Sequence, residues 1–143
     1  MAVRDSVLGS RVAYLRWLGM DIGRDTKISL KARIDTTNPR GIHIGDGTLI
    51  AFDATVLAHD LVRTLHTDTY IGRNCFIGTR ATILPGVTIG DNCIVAAGAV
   101  VNTDLPSGTI AAGNPARVVR SGITTRKWGI LEDGYQAALI LYD

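Results

Sequence analysis

From residue 22 onward, branched aliphatic residues return at a fixed step. Ile22, Ile28 and Ile34 form one run, then Ile44, Ile50 and Val56, then Ile71, Ile77 and Ile83, then Ile89, Val95 and Val101, each six residues from the last within its run. A period of six fits neither the 3.6 of a helix nor a long alternating strand, so each unit is a very short strand followed by a turn. Neighbouring columns agree. One residue after the apolar position stand Gly23, Gly45, Gly72, Gly78 and Gly90; three after it stand Asp25, Gly47, Asp53, Asn74, Gly86, Asn92, Gly98 and Asp104. These residue types tolerate left-handed backbone, which marks a recurring sharp corner. A second inward column, small or aliphatic, follows four residues on: Thr26, Ala32, Thr48, Ala54, Cys75, Ala81, Val87, Cys93 and Ala99. Three units close a triangular coil of eighteen residues. One coil cannot bury its own inner face, so stability must come from stacking coils. The predicted class is all-β with parallel strands.

The pattern divides the chain into an N-terminal helix at 1–20, the repeat at 21–119 and a tail at 120–143. Leu8, Val12 and Leu15 share one helical face ahead of Gly19. Leu131, Tyr135, Ala138, Leu139 and Tyr142 sit at helical spacing, with Glu132 and Asp133 near the positive end, so a second helix is predicted in the tail. Both helices are expected to brace the open ends of the stack. Between Val56 and Ile71 the step is fifteen residues rather than six, so a loop over 60–70 leaves the prism directly after His59. A loop held by a rigid scaffold is where function concentrates.

Composition narrows the class. A chain of 143 residues with 46% hydrophobic content suits one domain. A net charge of +2 does not suggest a nucleic-acid surface, and the apolar run Cys93 to Val101 is far below the ~20 residues of a membrane span. Two cysteines are too few for a disulfide framework, and no secretory pattern opens the chain, so a cytoplasmic location is expected. Cys75 and Cys93 fall one coil apart in the same inward column and read as buried fillers.

The segment "IGRNCFIGTRATILPGVTIGDNCIVAAGAVV" at 71–101 and the closing "GNPARVVR" at 113–120 resemble the hexapeptide-repeat family of left-handed parallel β-helices. The resemblance covers roughly residues 20–120, and the left-handed coil is what it implies. Enzymes of that family are mostly acyltransferases using acetyl-CoA or another acyl-CoA, and this pattern is similar to small sugar and polysaccharide O-acetyltransferases. In those a histidine stands just before a loop leaving the prism, the position of His59 in "AHD". A neutral imidazole suits the removal of a hydroxyl proton as the oxygen attacks a thioester. Transfer is then expected to be direct, without a covalent acyl-enzyme. Asp60, Asp68, Asp53 and Asp46 are candidates to orient His59, and Asp60, His66 and Asp68 to contact the acceptor.

For the acyl donor the resemblance implies contacts at Thr79, Ala97 and Asn102 along a groove between two prisms, with Arg117 and Arg120 on the phosphates. Thr103 stands where related enzymes often carry lysine; Arg80 or Lys127 could compensate. The implied assembly is a homotrimer acting on a small sugar acceptor, with acetyl-CoA as co-substrate and no metal. N-acetylation of a nucleotide-linked amino sugar is the alternative. A zinc carbonic anhydrase-like protein is less well supported, because His59 and His66 are seven residues apart in a loop and His43 lies on an earlier coil. A non-enzymatic structural trimer would leave His59 and the closing motif unused.

Overall fold

A computed structural model describes residues 2–132. The chain visits three parallel sheets in turn. The first face stacks Asp21–Ile22, Ile42–Ile44, Thr69–Ile71 and Thr88–Ile89. The second stacks Lys27–Ile28, Leu49–Ile50, Phe76–Ile77, Ile94–Val95 and Thr109–Ala112, and the third Arg33–Ile34, Thr55–Val56, Thr82–Ile83 and Val100–Val101. Register is strict. Ile28 pairs with Ile50, Ile50 with Ile77 and Ile77 with Val95, while Ile34, Val56, Ile83 and Val101 align on the third face.

All twelve periodic aliphatic residues are buried, as are the nine small residues of the second inward column. Strands of two or three residues have no stability of their own, and their ladder hydrogen bonds run to the coils above and below. The corners take the left-handed conformation, including Asp25, Asp53, Asn74, Asn92, Gly47, Gly86 and Gly98. Arg80 does so as well, at a corner where the residue type gives no such signal. Cys75 and Cys93 are buried free thiols within the core.

Helix α1, Ala2–Trp17, places Val12 and Leu15 in the core and closes the first coil. Its Arg11 guanidinium donates to the carbonyls of Ser29 and Ala32, at 2.6 Å for the latter. The described part of the tail, ahead of most of the expected helix, forms strands. Arg117–Ser121 returns antiparallel to Thr109–Ala112, and Thr125–Arg126 pairs with Ile130–Leu131. Ile123 and Leu131 pack on Ile94, Ile110 and Phe76, residues that precede or lie beside the inward column and so face outward. These strands cover the apolar patch that the second face presents outward. Residues 133–143 of the expected helix lie outside the described residues.

Ile77 is fully buried between Ile50 and Val95, with little freedom for its neighbours to close a gap. Ile77→Ala should lower stability by about 2–5 kcal/mol in urea unfolding, and a loss below about 1 kcal/mol would mean that the column packs loosely.

Candidate active site

The edge between the third and first faces carries both departures from the six-residue step. One coil leaves through residues 35–41, the next through the segment after Val56. Asp35 N–H donates to Val56 O, Leu57 N–H to Ile83 O and Leu84 N–H to Val101 O, so Asp35, Leu57 and Leu84 rise in tiers and Asn102 follows on the same edge.

The excursion is a β-hairpin. His59–Asp60 pairs antiparallel with Leu65–His66, His59 opposite His66, and the turn uses Thr64 at φ +52°. The two imidazole centroids stand 6.3 Å apart, edge to face. The root is tied by Thr67 N–H to Ala58 O at 3.0 Å and by the Thr69 hydroxyl to Leu57 O at 2.6 Å.

Asp35 orients His59. Its carboxylate accepts from Nδ1 of His59 and from the Ala58 N–H at 2.8 Å on one oxygen, and from the Thr37 N–H at 2.9 Å on the other. The Asp35 side chain is only 2% exposed, and that of His59 30%. Burial alone would raise the carboxyl's pKa, but the Ala58, His59 and Thr37 donors outweigh it and hold Asp35 below the ordinary carboxylate range. An ionised carboxylate can only accept, so Nδ1 carries a proton, and in the neutral ring the lone pair is then on Nε2.

The carboxylates expected to orient His59 are engaged elsewhere. Asp60 turns to its own turn, accepting from Arg63 Nε at 2.5 Å and Arg63 N–H at 3.1 Å, which lowers its pKa. Asp68 accepts from His43 Nε2 at 2.8 Å, and Asp53 lies 4.0 Å from Arg80. Asp46 accepts from the Arg24 N–H. The correction has a simple cause. Asp60 and Asp68 are near His59 in sequence, but stacking brings the previous coil closer than chain neighbours that point out along a hairpin. The ten-residue step from Ile34 to Ile44, four more than one unit, is the signal in the sequence that a second excursion lies on this edge.

His43 is held differently. Nδ1 faces Asp21 at 3.0 Å and Nε2 faces Asp68 at 2.8 Å, with Tyr70 stacked on the ring at 4.3 Å. A carboxylate faces each ring nitrogen, an arrangement that favours the imidazolium. Burial opposes its charge, but the two carboxylates prevail and raise its pKa. Thus His43 does not converge with the other two histidines.

Of the residues expected at the acyl donor, Thr79 and Ala97 stack at the edge between the second and third faces, where Gly98 N–H donates to Thr79 O at 2.8 Å. A Cβ on Gly78 would lie 2.7 Å from Ala97 N, so this corner is closely stacked. Ala97 and Asn102 are exposed, the latter on the His59 edge. Arg117 and Arg120 follow the cis Asn114–Pro115 turn on the returning strand. Arg80 shares the Thr79 corner, whereas Lys127 pairs with Asp25 at 3.4 Å and lies over Trp128, on a different edge. A groove of about 490 Å³ is lined by Leu8, Val12, Arg16, Lys27 and Trp128 among others, and by none of the residues around His59.

Short parallel strands stacked on three faces, with a carboxylate-held histidine at the root of a corner excursion, define a hexapeptide-repeat prism of the transferase type. The chain matches the bacterial transferase hexapeptide (six repeats) family over residues 68–103. It is 40% identical over 112 residues to a Staphylococcus aureus protein with a provisional acetyltransferase name, covering 77% of this chain and 70% of that one. It is 37% identical over 110 residues to YvoF of Bacillus subtilis, also provisionally named an acetyltransferase, covering 74% of this chain and 63% of that one. Against galactoside O-acetyltransferase of Escherichia coli it is 40% identical over 88 residues, covering 55% of this chain and 43% of that one. Thus the chain spans less than two thirds of the length of these last two relatives. A maltose O-acetyltransferase from Clostridium difficile superposes with a TM-score of 0.62 at 28% identity, covering 78% and 74% of the two chains. The Vibrio cholerae acetyltransferase VCA0836 complexed with acetyl coenzyme A gives 0.59 at 27%, covering 79% and 76%. This chain belongs to the hexapeptide-repeat acyltransferase family.

The two buttressed side chains give opposite pH signatures. Asp35, with a lowered folded pKa, stabilises the fold above its unfolded value of ~3.9, and that contribution is lost as pH falls through the folded value. Urea midpoints of Asp35→Asn should therefore lie below wild type at pH ~7 and approach it in acid; a gap that widens in acid contradicts the assignment. His43, with a raised folded pKa, stabilises below ~6.5, and its contribution is lost as pH rises through the folded value. His43→Gln should cost more stability near pH ~6 than near pH ~9, and equal losses at both would show that the ring is not held as an imidazolium.

Proposed function

We propose that this protein transfers an acetyl group from acetyl-CoA to a hydroxyl of a sugar or polysaccharide precursor. The observation that carries the reading is His59 at the hairpin root, its Nδ1 held by the buried Asp35 and its ring partly open to solvent. In the proposed step the acceptor hydroxyl oxygen attacks the thioester carbonyl carbon while Nε2 takes its proton. The tetrahedral intermediate collapses with cleavage of the C–S bond, and the imidazolium returns the proton to the departing CoA thiolate. Transfer is direct, and Asp35 stabilises the imidazolium as it forms.

The family supports a left-handed coil and a homotrimer. Among the described residues the tail packs on the second face, and the His59 side chain is partly open, consistent with a site completed by a neighbouring chain. The acyl donor would run past Thr79, Ala97 and Asn102, with Arg117 and Arg120 at its phosphates. His66, Asp60 and Asp68, on the hairpin and its exit, would frame the acceptor. The galactoside and maltose O-acetyltransferase relatives favour a sugar hydroxyl as the acceptor.

A thiol-release assay with acetyl-CoA against a panel of sugars and oligosaccharide precursors identifies the acceptor. With it, His59→Ala should lower kcat by roughly 10² or more while leaving acetyl-CoA affinity nearly unchanged, because the base acts chiefly in the transition state. Arg117→Ala should raise KM for acetyl-CoA with little change in kcat, as expected for a contact made equally in ground and transition states. Retention of more than about half the turnover by His59→Ala would eliminate the mechanism.

A further inference from the structure

We infer that Asn38 is a positioning residue that sets the spacing of His59 and His66 by pinning both roots of the hairpin to the preceding coil. Its kinetic consequence rests on the acyl-transfer reading above. The Asn38 side-chain nitrogen has two hydrogens, and it donates to Ala58 O at 2.9 Å and Thr67 O at 3.1 Å. Ala58 immediately precedes His59, and Thr67 immediately follows His66. One amide therefore grips the backbone where the chain leaves the prism and where it returns.

The surrounding turn is shaped for this grip. Pro39 fixes the backbone next to Asn38, and Gly41 N–H closes the turn onto Asn38 O at 3.1 Å. A Cβ on Gly41 would lie 2.3 Å from Thr67 O and 2.4 Å from Asn38 Nδ2. Only glycine lets the turn press this closely on the hairpin root. Asp35, three residues before Asn38, holds the His59 ring and the Ala58 N–H. The 35–41 turn thus fixes the ring through one side chain and the backbone on both sides of it through another.

Beyond the root the hairpin has little else to hold it. Residues 61–66 are all exposed, with Leu61 at 85% and Val62 at 95%. Without Asn38, Thr67 O loses the donor that ties the returning strand to the coil below, and the Thr67 N–H bond to Ala58 O, no longer braced, opens more often. His59 stays on Asp35 while His66 is free to swing. The geometry across which an acceptor would be held opens, although the proposed donor contacts at Thr79 and Ala97, on another edge, are untouched.

Asn38→Asp is isosteric and turns a donor toward two carbonyls into an acceptor; Asn38→Ala removes the grip without repulsion. Hydrogen exchange at the Thr67 amide should accelerate by about 10-fold or more in both, with the Ile77 and Ile83 amides unchanged. In the same variants kcat/KM for the acceptor should fall about 10-fold while KM for acetyl-CoA stays at the wild-type value. Wild-type exchange at Thr67 in folded Asn38→Ala would overturn the inference. So would faster exchange throughout the coil, or unfolding of both variants, since either would make Asn38 a general structural residue. Exchange is read without turnover. A response at Thr67 in a protein with no acetyl-CoA activity would refute the acyl-transfer reading and leave the grip standing.

Discussion

Every other feature of this molecule depends on coils stacking in register. A two-residue strand such as Phe76–Ile77 has no fold of its own, and its aliphatic side chain is buried only because Ile50 lies below and Val95 above. Inward positions therefore take small or branched side chains, and the large additions fall at a corner. Both large additions fall on one edge, one coil apart. The stack that buries the isoleucines also delivers the carboxylate of residue 35 to the imidazole of residue 59, across 24 residues of chain.

The same geometry separates two histidines that the chain chemically duplicates. His59 meets one carboxylate, through Nδ1; His43 meets two, one at each nitrogen, which favours its charged form. The first is the ring with a nitrogen left over for the proposed proton transfer, while the second bridges Asp21 at the start of the first coil and Asp68 at the exit of the hairpin. Role follows from the number of acceptors each ring faces.

Much of this was legible in the sequence because the repeat is strict. Ile22 to Val101 mark the core directly, and the fifteen-residue step exposes the His59 excursion. Asp35 was not legible by the same reading. Its own excursion is only four residues longer than a unit, and a contact 24 positions away emerges only when coils are laid over one another. Arg80 occupies a left-handed corner without being Gly, Asn or Asp, since stacking can impose a backbone conformation that residue type disfavours. In the tail, Leu131 carries a helical spacing but is spent on the outer face of Phe76 and Ile94, a patch visible only once the second face is assembled.

The central claim is that Asp35 holds His59 in the tautomer that leaves Nε2 basic. Nitrogen-15 NMR of the His59 ring at neutral pH, in protein labelled at histidine, tests it most directly. The account predicts that neutral His59 is protonated at Nδ1, and that Asp35→Asn shifts the population toward the Nε2-protonated form. A His59 ring already protonated at Nε2 in the wild type, or unaffected by Asp35→Asn, would contradict it.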